Sequence, residues 1–212
     1  MARVCRLPLN LRMETIGPDW NQRYVEGDTP WDKGTYTPAL LEIFAKQLIP
    51  TGAEVLVPGC GFGHDARAIA DAGYSATGMD IADSAVKGAR LAHQDAEGLE
   101  FIQANLFDLE LPKQKRYGAI WEHTCYCAIL PEQRPAYVEA VSNLLEENGL
   151  LVGVFFTNTE MPPGEGPPFE TSAEEVRSLF SDKFDLLWEK EPDATFPSRV
   201  GCEWLMAWQR KA

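Results

Sequence analysis

The stretch VLVPGCGFGHDARAIADAGYSATGMD, residues 55–80, decides the fold. Val55, Leu56 and Val57 form a continuous apolar run, the pattern of a strand buried on both faces. Gly59, Gly61 and Gly63 follow, where the backbone can turn tightly beneath a ligand without Cβ clashes. A helix is expected from about His64, and a second apolar run closes on Asp80. An acid at the carboxyl end of a parallel strand can accept hydrogen bonds from both hydroxyls of a ribose. The segment therefore reads as half of a nucleotide-binding fold that asks for an adenosine.

The glycine spacing narrows the ligand. A dinucleotide fingerprint G-x-G-x-x-G brings a helix N-terminus to a pyrophosphate, whereas here the glycines alternate as G-C-G-F-G. That alternation suits a ligand without phosphates and disfavours an NAD-dependent dehydrogenase. With an acid about twenty residues on, it resembles the S-adenosylmethionine turn of class I methyltransferases.

Working outward, helical and strand periods alternate through the chain without internal repeats. Thr37 and Pro38 open an amphipathic helix carrying Leu40, Leu41, Phe44 and Leu48, with Thr37 as the expected N-cap. A crossover helix is expected over 82–94, strands over 99–103 and 117–122, and a helix from PEQRPAYVEAVSNLLEENG that ends at Gly149. LLVGVFFT reads as a central strand, followed by a short helix near 172–180 and strands near 183–189 and 203–209. The sum is an α/β fold: a doubly wound, mostly parallel, Rossmann-like sheet with a C-terminal antiparallel hairpin. In such sheets ligands sit beyond the carboxyl ends of the strands at the switch point. That rule gathers Gly59, Gly61, Gly63, Asp80, Asn105, Leu106, Phe107, Glu122, His123 and Thr124 along one crevice. Asn105 is a candidate for the adenine edge, with Leu106 and Phe107 on its face.

Composition sets the boundaries. The 212 residues, 45% hydrophobic and 24% charged, suffice for one sizeable core. A net charge of -13 and the lack of a Lys/Arg stripe oppose binding to a phosphate backbone, so nucleic acid is not expected as a partner. No apolar run of membrane-spanning length and no leader with a cleavage site is visible, which points to a cytoplasmic chain without membrane association. Cys5, Cys60, Cys125, Cys127 and Cys202 follow no paired zinc spacing, so reduced thiols and no metal are expected. His64 and His93 read as packing or partly exposed residues, and Met13 as a candidate functional start.

A second informative region precedes the first strand. Trp20, Tyr24 and Trp31 stand in a segment otherwise rich in Asp, Glu, Gly and Pro, which cannot build a core alone. They read as a lid over a ligand, and aromatic faces attract a sulfonium cation. Residues 1–36 are accordingly an arm and aromatic lid, and residues 37–212 the catalytic domain.

The run W-x-x-x-Y-x-x-x-x-T-P-W-D-x-G-x-x-T-P from Trp20 to Pro38 and V-P-G-C-G-x-G-H-D from Val57 to Asp65 resemble the thiopurine methyltransferase family. C-A-I-x-P-E-x-R-P-A from Cys127, GEGPPF from Gly164 and P-S-R-x-G from Pro197 extend the likeness over most of the chain. Within that family the chain looks most like the thiol and halide methyltransferases. The resemblance implies S-adenosylmethionine as cofactor, with contacts from Trp20, Tyr24, Trp31, Gly59, Asp80, Asn105, Leu106 and His123, to which the strand-end crevice adds Gly61, Gly63 and Glu122 as candidates. It implies methyl transfer by in-line displacement to a small nucleophile: a thiol, hydrosulfide, thiocyanate or halide. Tyr24 and His123 depart from the halide-type pattern, which carries Trp and Tyr there.

Displacement at an activated sulfonium needs alignment and exclusion of water rather than an obligatory acid or base. A thiol attacks as thiolate, so His123 and Tyr126 are the catalytic candidates, either assisting deprotonation or orienting the acceptor. Arg199 is a candidate contact for an anionic acceptor, against the commoner fate of an Arg beside a turn, a surface ion pair. The alternatives are a thiopurine or metalloid (tellurite or selenium) acceptor, and a noncatalytic S-adenosylmethionine-binding protein. Oligomeric state is not readable from the chain.

Overall fold

A computed structural model describes residues 17–162 and 164–212. The first sixteen residues, with Cys5, Met13 and the start of the expected arm, lie outside the described residues. In chain order the elements are α1 (Trp20–Glu26), α2 (Ala39–Lys46), β1 (Glu54–Pro58), α3 (His64–Asp71), β2 (Ser75–Asp80), α4 (Asp83–Ala92) and β3 (Leu99–Gln103). They continue as α5 (Leu111–Gln114), β4 (Tyr117–Glu122), α6 (Arg134–Leu144), β5 (Leu145–Phe156), α7 (Ala173–Phe180), β6 (Phe184–Lys190) and β7 (Glu203–Arg210). The strands form one sheet in the order β3-β2-β1-β4-β5-β7-β6. Neighbours are parallel from β3 to β5, and β7 runs antiparallel between β5 and β6.

The apolar run of β1 is continuous because both of its faces are covered. Val55 and Val57 face one core with Leu40 and Ile43 of α2, Ile69 of α3 and Val86 of α4. Leu56 faces the other, with Tyr137 and Val141 of α6 and Val176 and Phe180 of α7. Connections leave β1 and β4 toward opposite edges, so the switch point opens between their carboxyl ends.

Two boundaries differ from the expectation. Thr37 does not cap α2 through its hydroxyl, which is buried without a partner; instead its carbonyl accepts Leu40 N–H at 3.1 Å, and its N–H donates to Asp65 Oδ1 at 2.8 Å. Gly149 does not end the sixth helix, because α6 stops at Leu144 and Leu145 already pairs with Tyr117 of β4. Asn148, at φ 60, takes the left-handed conformation expected of that glycine. Burial of Leu145 and its pairing outweigh the helical preference of Glu146 and Glu147.

Candidate functional site

Gly59, Gly61 and Gly63 all lie at positive φ, between 55° and 81°, and they wind the chain from β1 into α3. Cys60 N–H donates to Met79 O at 3.0 Å, and Gly61 N–H to Asp80 Oδ2 at 2.9 Å, which ties the turn to the end of β2. Asp80 Oδ1 accepts Ala82 N–H at 2.9 Å. Burial raises the Asp80 carboxyl above its ordinary range, and the N–H donors of Ala82 and Gly61 offset part of this. Each carboxylate oxygen keeps a lone pair for a further donor.

The aromatic segment packs over this turn. Asp19 caps α1 by accepting Gln22 N–H, Gly27 ends it at φ 71, and Asn21 Oδ1 accepts Ser84 N–H from α4 at 2.9 Å. Tyr24 meets Trp31 and Phe62 edge to face at centroid distances of 5.7 and 5.2 Å, and Trp20 meets Trp31 at 5.5 Å. Trp31 Nε1–H donates to Tyr24 Oη at 3.2 Å. Because an indole only donates, the phenol oxygen is the acceptor in this contact and its own O–H is left to donate elsewhere. Burial, with the Asp80 charge, pushes Tyr24 well above the usual phenol range. A Cβ on Gly61 would stand 2.9 Å from Tyr24 Oη, so only glycine admits that approach.

One cavity of about 810 Å³ opens at the switch point. It is lined by Trp20, Tyr24, Trp31, Gly59, Gly61, Asp80, Asn105, Leu106 and His123 from the expected set, and at its other end by Phe156, Pro167, Pro168, Phe196 and Arg199. Asn105 Oδ1 also accepts Phe107 N–H at 3.0 Å, so the capping role accompanies its place on the wall. His64 lines the rim, with Nε2 3.2 Å from Asp32 of the aromatic segment.

Three expected residues do not reach the cavity. Gly63 sits behind the turn, where an added Cβ would fall 2.5 Å from the Phe101 ring. Glu122 is fully buried; its carboxylate accepts Tyr126 N–H at 2.8 Å and the Tyr137 hydroxyl. Burial pushes its pKa up to about 7 despite those donors. Tyr126 is rotated by the 3₁₀ turn Tyr126–Ala128 into the lower core, against Tyr137, Phe155 and Phe180. Its phenol, pushed up by burial, is not part of the cavity lining.

The far end contains two residues that the sequence reading undervalued. Asp65, on the first turn of α3, is buried and accepts Thr37 N–H, Trp121 Nε1–H at 2.9 Å and a hydrogen bond with His123 Nδ1 at 2.7 Å. Burial works against its carboxylate, but His123, Trp121 and Thr37 together hold the carboxyl below its ordinary range. Arg199 is only 6% exposed, not a surface ion-pair residue. Its Nη1 lies 2.9 Å from His123 Nε2 and 3.2 Å from Glu203 Oε1, and its guanidinium lies over Phe156 and Phe196. The signals were there: Asp65 closes the G-H-D run and Arg199 the P-S-R run.

Cys60, Cys125 and Cys127 also border the cavity. Burial pushes all three thiols up, Cys127 to about 12, so they stay protonated and poorly nucleophilic. No group of three or more possible metal ligands occurs among the described residues. No described helix is long and apolar enough to cross a membrane.

Comparison with known proteins places this geometry. A family model described as thiopurine S-methyltransferase matches residues 17–208. Thiocyanate methyltransferase 1 of Arabidopsis thaliana is 31% identical over 197 residues, covering 90% of this chain and 84% of that protein. A probable thiol methyltransferase 2 of the same plant is 29% identical over 206 residues, covering 95% and 89%. Among solved structures, the N-methyltransferase NodS of Bradyrhizobium japonicum with S-adenosyl-L-homocysteine superposes with a TM-score of 0.69 at 14% identity, covering 90% of this chain and 96% of that one. At that identity the likeness speaks for the fold.

Proposed function

The chain belongs to the thiopurine S-methyltransferase family and is an S-adenosylmethionine-dependent methyltransferase of small nucleophiles; on that premise we propose that its acceptor is a small anion, a thiolate, hydrosulfide, thiocyanate or halide, received at the Arg199 end of the cavity. The buried Arg199 guanidinium beside His123 carries this reading, since it supplies a desolvated cation among Phe156, Phe196 and two prolines. A cavity of about 810 Å³ has room for the cofactor and a small acceptor together, because pockets of roughly 300–1,000 Å³ hold drug-sized ligands.

The residues present fit S-adenosylmethionine. Asp80 offers acceptor lone pairs to a ribose diol, the glycine turn makes the close backbone wall, and Leu106 with Asn105 flanks the place of the base. Trp20, Tyr24 and Trp31 present aromatic surface suited to a sulfonium, at roughly 0.5–2 kcal/mol per contact. We assign the described residues 17–36 as the aromatic lid and the chain from 37 onward as the catalytic unit. When bound, the cofactor supplies a methyl group on a sulfonium that leaves as S-adenosylhomocysteine. This chain contributes position, a cation for the acceptor and exclusion of water. The four described cysteines are free, in keeping with a reducing, cytoplasmic setting.

The experiment is turnover with iodide, thiocyanate, hydrosulfide, a thiol, a thiopurine and tellurite in separate reactions, each read as S-adenosylhomocysteine formed. Acceptor-dependent product from these anions supports the reading, whereas turnover confined to a thiopurine or a metalloid oxyanion transfers it to that acceptor.

A further inference from the structure

We infer that Asp65 fixes His123 as a neutral ring protonated on Nδ1, whose other lone pair is taken up in orienting Arg199, so that no protein base serves the acceptor and the site admits only acceptors that arrive as anions. The inference rests on the methyl-transfer reading above. It follows from what each partner can and cannot do. A carboxylate only accepts, so the 2.7 Å contact with Asp65 puts the proton on His123 Nδ1. A guanidinium only donates, so the 2.9 Å contact with Arg199 Nη1 requires a lone pair on His123 Nε2. One neutral tautomer satisfies both, whereas an imidazolium would set N–H against N–H.

Asp65 is itself immobilised by Trp121 and Thr37, which makes it a positioning residue acting through His123. The same Arg199 Nη1 also donates to Glu203 Oε1 at 3.2 Å, so its two hydrogens are divided between His123 and Glu203 and its direction is set by the pair. The other titratable groups bordering this end do not replace the missing base. His64 is engaged by Asp32 at the rim, the Cys125 and Cys127 thiols are held protonated by burial, and the Glu122 carboxylate lies outside the cavity. A thiol therefore loses its proton to solvent before it reacts. Its sulfur lone pair becomes the new bond to the methyl group while the pair of the broken C–S bond stays on the departing sulfur, and no proton moves on the protein.

Two readouts test this. Nitrogen NMR of histidine-labelled protein without cofactor should show His123 as a neutral Nδ1–H ring, and Asp65→Leu, which leaves Nδ1–H without an acceptor, should weaken that preference, with the Arg199 contact alone opposing the Nε2–H form. An Nε2–H or doubly protonated His123 in the native protein would overturn the inference. In kinetics, kcat/KM for thiols of graded acidity should rise with pH and level off at each thiol's own pKa. Levelling at one common pH for all of them would reveal an enzyme base and also overturn it.

Asp65→Asn should raise KM for thiocyanate by about tenfold or more, the scale of one charge-assisted hydrogen bond, with cofactor affinity by calorimetry held within about twofold. Equal loss of both would mark Asp65 as merely structural. His123→Gln, whose neutral amide can both donate and accept, should recover most of what His123→Phe loses for thiols; equal failure of the two would favour a base. If no acceptor is turned over at all, the methyl-transfer reading fails, while the NMR result still decides the tautomer.

Discussion

Arg199 and Glu122 are both buried ionisable groups, but the fold treats them differently. Arg199 has His123, Glu203 and two aromatic faces around it, so replacing it removes a cation and strands Glu203. Arg199→Lys keeps the charge but loses the planar fork whose Nη1 meets both His123 and Glu203. We expect KM for thiocyanate to rise about 10- to 100-fold, with a much smaller change in cofactor affinity; a matching fall in both would remove Arg199 from the acceptor end. Glu122 makes the opposite case. Its folded pKa of about 7 exceeds the ordinary 4.5, so the fold favours its protonated form. Its contribution to stability is present below the ordinary value and is lost as pH rises toward 7, a change of about 3 kcal/mol. Glu122→Gln should therefore flatten the stability–pH profile over that interval in urea unfolding, and an unaltered slope would place the titration elsewhere. At this scale the sequence was only partly legible. Asp80, Asn105 and His123 stand at strand ends and could be found from the switch-point rule. Asp65 and Arg199 gain their roles from partners 58 and 76 positions away through His123, which no local spacing encodes. Tyr126 was misplaced because a 3₁₀ turn after β4 rotates it from the cavity wall into the core.

Two elements do most of the positioning, the glycine turn and the aromatic segment with α1. Gly63 lies at φ 81 with Phe101 where a Cβ would go. Gly63→Ala should cost about 2 kcal/mol or more through strain and overpacking, read as a lower melting temperature, without altering the cavity wall directly. In the aromatic segment, Trp31 joins Tyr24 through a hydrogen bond and Trp20 through an edge contact. Trp31→Ala should weaken S-adenosylmethionine binding by about tenfold, from loss of a cation–π surface, and weaken S-adenosylhomocysteine binding less because the product has no sulfonium charge. Equal losses for the two would make Trp31 a packing residue only. Elements were the most legible scale. The strands at 99–103 and 117–122 fall on their expected residues because period and turn chemistry agree there. The end of α6 was missed because pairing of Leu145 with Tyr117 is a long-range event. The cap of α2 was missed because Asp65, distant in sequence, takes the Thr37 N–H.

Across the whole molecule the net charge of -13 opposes the approach of an anion, so selectivity must be local. At the proposed acceptor end Glu203 offsets the Arg199 charge, so the uncompensated cation arrives only with the sulfonium. That count favours ordered addition, cofactor first, with S-adenosylhomocysteine competitive against S-adenosylmethionine and noncompetitive against the acceptor in initial-rate kinetics. A pattern of random addition would contradict it. The global fold was legible from residues 55–80 together with the alternation of elements, since a parallel sheet with both faces covered permits few topologies. The acceptor was not legible, because the place proposed for it is made by side chains converging from α3, the residue after β4 and the segment before β7. The most direct test of the central claim is S-adenosylhomocysteine formation from S-adenosylmethionine with iodide, thiocyanate, hydrosulfide, thiophenol and a thiopurine in separate reactions. We expect the small anions to be methylated, each in proportion to its anionic fraction. Tight cofactor binding with no product from iodide, thiocyanate or any thiolate would contradict the account.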